Sequence, residues 1–140
     1  MSHATIDDLL HAYADAVVRR DPEQWISTWA SDAVWELGKG RNVTGADAIL
    51  DLWNSAMDGF KAVVQNVVNR TAELADGAGT GRCYIIEHWW RADDSRGILL
   101  AHYDDRYVRV DGGWRFASRE LVVHYGGPPD LSAPFLNAWS

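Results

Sequence analysis

Three consecutive stretches near the carboxyl end decide the fold: Ile98-Leu-Leu-Ala-His-Tyr-Asp-Asp-Arg-Tyr-Val-Arg-Val110, then Asp111-Gly112-Gly113, then Trp114-Arg-Phe-Ala-Ser-Arg-Glu-Leu-Val-Val-His-Tyr125. Both flanks are rich in β-branched and aromatic residues. The Asp-Gly pair between them suits the positive φ angles of a tight hairpin turn. Working upstream, Asp93-Asp94-Ser95-Arg96-Gly97 is another turn, and Arg82 to Arg91 reads as the preceding strand. Asp76-Gly77 and Gly79 mark a third turn. Before it, Val63, Val64, Val67 and Val68 predict a strand over 62–74. Four strands joined by short turns predict an antiparallel meander. Downstream, Gly126-Gly127-Pro128-Pro129 is expected to end the last strand, leaving 126–140 as a Gly/Pro-rich tail with Phe135, Leu136 and Trp139.

The amino-terminal half has a different period. Ile6, Leu9, Leu10, Tyr13, Ala14, Val17 and Val18 recur at three and four residues, which makes one apolar helix face over 6–20. Asp21-Pro22 supplies an N-cap and a first-turn proline for a second helix, expected to carry Trp25, Ile26 and Trp29 and to end near Ser31-Asp32. A short strand is predicted over 33–37. Thr44-Gly45-Ala46-Asp47 has the spacing of a capping box, opening a third helix with Ile49, Leu50, Leu52, Trp53, Ala56, Met57 and Phe60. Three helices followed by a run of hairpins predict an α+β fold, with helices packed on one face of an antiparallel sheet.

Composition bounds the function. The 140 residues form a single domain by length, and 47% apolar with 24% charged is a globular balance. No apolar run approaches the roughly 18 residues of a membrane span, and the polar start lacks the pattern of a signal peptide. The single cysteine, Cys83, excludes an intrachain disulfide. Together these features suggest a cytoplasmic protein. A net charge of −7 argues against nucleic acid and anionic membranes as partners. The eight tryptophans fit a core, a pocket wall or an interface equally well.

The element order resembles the SnoaL-like branch of the NTF2-like superfamily. The resemblance rests on Ile6-x-x-Leu9, Tyr13-Ala14, Asp21, Trp25, Trp29-Ala30-Ser31-Asp32-Ala33-Val34-Trp35, Gly45, Asn69 and Asp111-Gly112-Gly113-Trp114-Arg115-Phe116. It implies a cone in which a curved sheet wraps a deep pocket closed by the helices. The family hosts dehydratases, isomerases, cyclases, dehydrochlorinases and epoxide hydrolases, mostly without cofactors, and also proteins with no chemistry. Its dehydratase-like members, scytalone dehydratase and the dehydrochlorinases among them, use an Asp–His pair. The matching positions here hold Val18 and Gln65. Neither can serve as a base, since an amide has no useful pKa.

Strand alternation alone leaves the inward face open. The resemblance points Leu99, Ala101, Tyr103 and Asp105 inward, with Arg119, Leu121 and Val123 on the last strand and Gln65, Val67 and Asn69 on the first. Cys83, Ile85, Glu87 and Trp89 are the corresponding set on the second. Tyr13, Val17, Val18, Trp35, Leu37 and Trp53 are expected to complete the wall.

Substrate contacts are therefore expected from Tyr13, Val18, Trp35, Trp53, Gln65, Asn69, Leu99 and Tyr103. Catalytic roles fall to Arg119, Asp105 and Glu87, with one acid paired to Arg119 and the other free to move a proton. His88 and His102 then face outward. No metal set and no cofactor are expected; with the opposite facing, His102 becomes the base.

The expected activity is a cofactor-independent lyase or isomerase acting on a small apolar cyclic or aromatic molecule. The alternatives are a non-catalytic small-molecule binder and an epoxide hydrolase using a carboxylate–Arg set. The outer face would carry Tyr84, Ile86, His88, Trp90, Leu100 and His102, which is apolar enough to predict a homodimer through the sheets.

Overall fold

The computed structural model describes residues 2–136; Trp139 of the expected tail lies outside them. The helices are α1 (Ile6–Arg19), α2 (Pro22–Ser27) and α3 (Ala46–Met57). The strands are β1 (Trp29–Glu36), β2 (Asn42–Thr44), β3 (Phe60–Ala75), β4 (Ala78–Arg91), β5 (Arg96–Val110) and β6 (Gly113–Gly127). They form one curved sheet in the order β2-β1-β6-β5-β4-β3, with the helices packed on it.

The β3–β6 meander forms as the turn chemistry dictates. Asp111 and Gly112 both take positive φ, 50° and 80°, in the β5–β6 turn. The sheet as a whole departs from the expected antiparallel arrangement. β1 lies parallel to β6, with Trp35 opposite Arg119, while β2 runs antiparallel to β1. The sheet is therefore mixed.

Three boundaries differ from expectation. The second helix stops at Ser27, and Trp29–Asp32 is strand. The Thr28 carbonyl accepts from Phe116 N at 2.7 Å, and this long-range pairing overrides the helical spacing of Trp25 and Trp29. Thr44 is no cap: it pairs with Val34 in β2, and Gly45 at φ 93° precedes α3 without a side-chain capping bond. β6 also continues through Gly126 and Gly127, which pair with Leu99 and Ile98.

α1 is capped by Thr5, whose side chain accepts from Asp8 N, and α2 by Asp21, which accepts from Gln24 N. α1 buries Ile6, Leu9, Leu10, Tyr13 and Val17 against the sheet. His3 is buried, its ring 3.2 Å from Ser27 Oγ. Trp114 N donates to the His3 carbonyl at 2.7 Å, tying that segment to β6. The core is unusually aromatic. Trp25 and Trp53 stack at 4.6 Å, and Trp25, Trp29 and Trp35 lie 5.4–5.9 Å apart, centroid to centroid.

Candidate functional site

Register places the inward set as expected on β4 and β5. Cys83, Ile85 and Glu87 stand opposite Tyr103, Ala101 and Leu99, and Asp105 stands opposite Arg119. The bulge between Arg106 and Tyr107 then brings Phe116 onto the same face as Arg119. Arg119 is 1% exposed and Asp105 3%. Arg119 Nε donates to Asp105 Oδ1 at 2.7 Å and Nη2 to Oδ2 at 3.1 Å, a bidentate pair. Tyr107 adds its hydroxyl to Oδ2 at 3.3 Å. The guanidinium carbon sits 3.7 Å from the Tyr103 ring centroid, 4.0 Å from Phe116 and 4.5 Å from Tyr13. Burial alone would disfavour the Arg119 charge, but Asp105 opposite holds its pKa above the ordinary arginine range. Burial pushes the Asp105 carboxyl up, and Arg119 pulls it back.

Glu87 has a different environment. Its Oε1 accepts from Gln65 Nε2 at 3.0 Å, and no cation pairs with it among the described residues. Burial raises its pKa, with the Gln65 bond opposing. Burial also raises the Tyr13 and Tyr103 hydroxyls. Both phenols feel the positive charge of Arg119 and the negative charge of Glu87, so they lie electrostatically between the two.

The expected deep cavity beside Arg119 is not formed. Trp25, Trp29, Phe116, Cys83 and Arg119 retain at most 1% of their surface, which leaves no room for water against them. Trp35 and Trp53 are also buried, as members of this packed cluster rather than as an open wall. Accessible surface returns toward the end of the face formed by late β4 and early β5, where Glu87, Trp89, Leu99, Leu121 and Val123 are partly exposed. Glu87 is partly exposed at this end, and Gln65, which bonds it, is buried beneath.

Two expected contacts are absent from it. Val18 is 43% exposed, since one residue past Val17 rotates about 100° off the buried face. Asn69 is exposed because β3 bulges between Val67 and Arg70, which reverses the alternation. It borders an outer groove of about 410 Å³ with Val68, Tyr84, Ile86, Leu100 and His124. The sequence reading also missed Tyr107 and Phe116, which complete the surroundings of Asp105 and Arg119. Tyr107 is the next residue in step after Asp105, so alternation along β5 already pointed to it, whereas Phe116 reaches this face through the extra residue in β6.

His102 and His124 lie together on the outer face. His102 Nδ1 is 2.8 Å from His124 Nε2, and its Nε2 is 3.4 Å from Asp104. No group of three or more potential metal ligands occurs among the described residues. No helix is long and apolar enough to cross a membrane.

Comparisons with known proteins agree with this architecture. The SnoaL-like domain family matches residues 2–120. Gamma-hexachlorocyclohexane dehydrochlorinase of Sphingobium indicum is 27% identical over 131 residues, covering 91% of this chain and 83% of its own. A protein of Novosphingobium aromaticivorans assigned as a scytalone dehydratase superposes with a TM-score of 0.82 at 20% identity, covering 92% of this chain and 93% of that one. The hexachlorocyclohexane dehydrochlorinase LinA-type3 of Novosphingobium barchaimii gives 0.81 at 22%, covering 95% and 92%. With a family match over most of its length and this six-stranded cone, the chain belongs to the SnoaL-like domain family of NTF2-like proteins.

Proposed function

We propose that this protein is a cofactor-free lyase or isomerase that removes a proton from a small cyclic or aromatic molecule, with Glu87 as the base. The observation that carries the reading is the separation of the two acids. Asp105 is committed to Arg119 by two hydrogen bonds, whereas Glu87 is largely buried and held only by an amide. A carboxylate without a cation, with its pKa raised by burial, is better poised to accept a proton near neutral pH. Gln65 orients it. Arg119 acts through the Tyr13 and Tyr103 phenols packed on its guanidinium, favouring negative charge that develops in the substrate. The dehydrochlorinase and dehydratase relatives support an elimination-type role.

The epoxide-hydrolase alternative needs Glu87, Asp105 and Arg119 in one hydrogen-bonded set. Among the described residues Arg119 pairs with Asp105 and Glu87 bonds Gln65, which disfavours it. The non-catalytic binder draws support from the absence of an Asp–His pair at Val18 and Gln65. A homodimer through the outer sheet face is part of the proposal, since Val64 and Val68 there are 42% and 56% exposed.

The test uses a probe that asks only for proton abstraction. 5-Nitrobenzisoxazole opens by elimination when a base removes one ring proton, and the product is followed by absorbance. Turnover is expected to rise with pH through the raised Glu87 pKa and to fall by about 10²-fold or more in Glu87→Gln. His102→Ala is expected to behave as wild type. Absence of turnover, or turnover that survives Glu87→Gln and disappears in His102→Ala, overturns the assignment.

A further inference from the structure

The open end of the concave face carries one cation that the proton-transfer reading leaves unused. Arg91 ends β4 on the same face as Glu87 and Trp89. Its guanidinium carbon lies 5.0 Å from the Phe60 ring centroid and 5.2 Å from that of Trp89, so two rings clamp it. Trp89 in turn lies flat across Gly97, its register partner. A Cβ there would meet the indole at 2.1 Å, so only glycine leaves room for this ring position. The two rings hold the guanidinium beside the concave face without a hydrogen bond to an acid.

No ion pair or side-chain hydrogen bond engages Arg91 among the described residues. The acids of the neighbouring turn are committed elsewhere. Asp94 takes Lys61 and Trp90 Nε1, and Asp93 takes Ser95 through both its amide and its hydroxyl. In a chain with 20 acidic and 13 basic residues, this exposed guanidinium makes no ion pair among the described residues, and Asp93, the acid that feels its charge, is hydrogen-bonded to Ser95 instead. The complement of its planar donor fork is a carboxylate, which it binds through two parallel hydrogen bonds.

We infer that Arg91 docks the carboxylate of the substrate, and that the molecule taken is a ring-bearing carboxylic acid whose ring lies over Leu99 and Trp89. The docking stands on the Arg91 clamp, while the position of the reacting C–H rests on the reading of Glu87 as base. Four residues of strand separate Glu87 from Arg91, about 13 Å along the chain. With both side chains reaching inward, the interval suits an acid with one or two fused rings. The inference narrows the substrate from an apolar cyclic molecule to an anionic one.

Binding decides it without requiring turnover. 2-Naphthoate and its neutral isostere 2-naphthamide are titrated calorimetrically at neutral pH into wild type, Arg91→Gln, Arg91→Lys and Glu87→Gln. The expected result is naphthoate binding about tenfold tighter than the amide in wild type. Arg91→Gln removes that preference and leaves amide binding unchanged. Arg91→Lys, which keeps the charge but loses the fork, falls between the two. Glu87→Gln retains the preference, so a protein that loses elimination of 5-nitrobenzisoxazole but still prefers naphthoate separates the docking group from the base. Equal affinity for the two probes, no binding of either, or a preference that survives Arg91→Gln overturns the inference.

Discussion

Replacing Asp105 by Asn removes one charge from the interior and almost no volume. Arg119 then remains buried against Tyr13, Tyr103 and Phe116 with no counter-ion, while the amide oxygen can still accept from Tyr107. Breaking a buried pair from one side costs about 3–5 kcal/mol, because the surviving charge stays desolvated. Against a total stability of about 5–15 kcal/mol, that is a large share. At roughly 2–4 °C per kcal/mol for a chain of this size class, the thermal midpoint should fall by about 6–20 °C. Urea unfolding followed by far-UV circular dichroism, together with a thermal scan, measures it. Replacing both partners, Asp105→Leu with Arg119→Met, removes the orphaned charge and should recover most of the loss. A single variant within about 1 kcal/mol of wild type, or a double variant no better than Asp105→Asn, refutes the claim that the bidentate pair matters through charge compensation.

Two further outcomes follow from the same geometry. Glu87 has a folded-state pKa raised above its ordinary value, so the folded protein binds the extra proton and stability falls as pH rises from about 4.5 through the raised value. Glu87→Gln should therefore gain on wild type in urea midpoint between about pH 4 and pH 7, and a pH-independent difference would contradict the burial argument. On the outer face, Ile86→Asp should convert a sedimenting dimer into a monomer at micromolar concentration; a wild-type protein already monomeric there would count against the sheet-to-sheet contact.

The meander was legible because alternation and turn residues are local signals. Asp111-Gly112 set a hairpin whose register follows from the turn. The parallel pairing of β1 with β6 was not, because nothing near Trp29 in sequence announces Phe116 as its partner. The helical spacing of Trp25 and Trp29 was real as a pattern and lost to that tertiary pairing. For the site, Arg119, Asp105, Glu87, Gln65, Tyr13 and Tyr103 came together on one face as the family resemblance implied. Asn69 was misplaced, and Phe116 left out, for one reason: a bulge adds a residue to one strand and reverses every facing beyond it. Alternation counted along a single strand cannot register an extra residue that exists only relative to its neighbour. The closed aromatic interior was also out of reach, since eight tryptophans specify volume but not where a void remains.

The parallel union of β1 and β6 bears on how the chain matures as it is made. Trp35 finds its register neighbour, Arg119, only after roughly 80 further residues have been added. Until β6 leaves the ribosome, the tryptophans of α2 and β1 have no sheet to close over them. Contacts of such long range slow the final assembly step and prolong the exposure of adhesive surface. A nascent chain halted short of β6 would present these indoles to chaperones, and synthesis of β6 would act as the event that withdraws them.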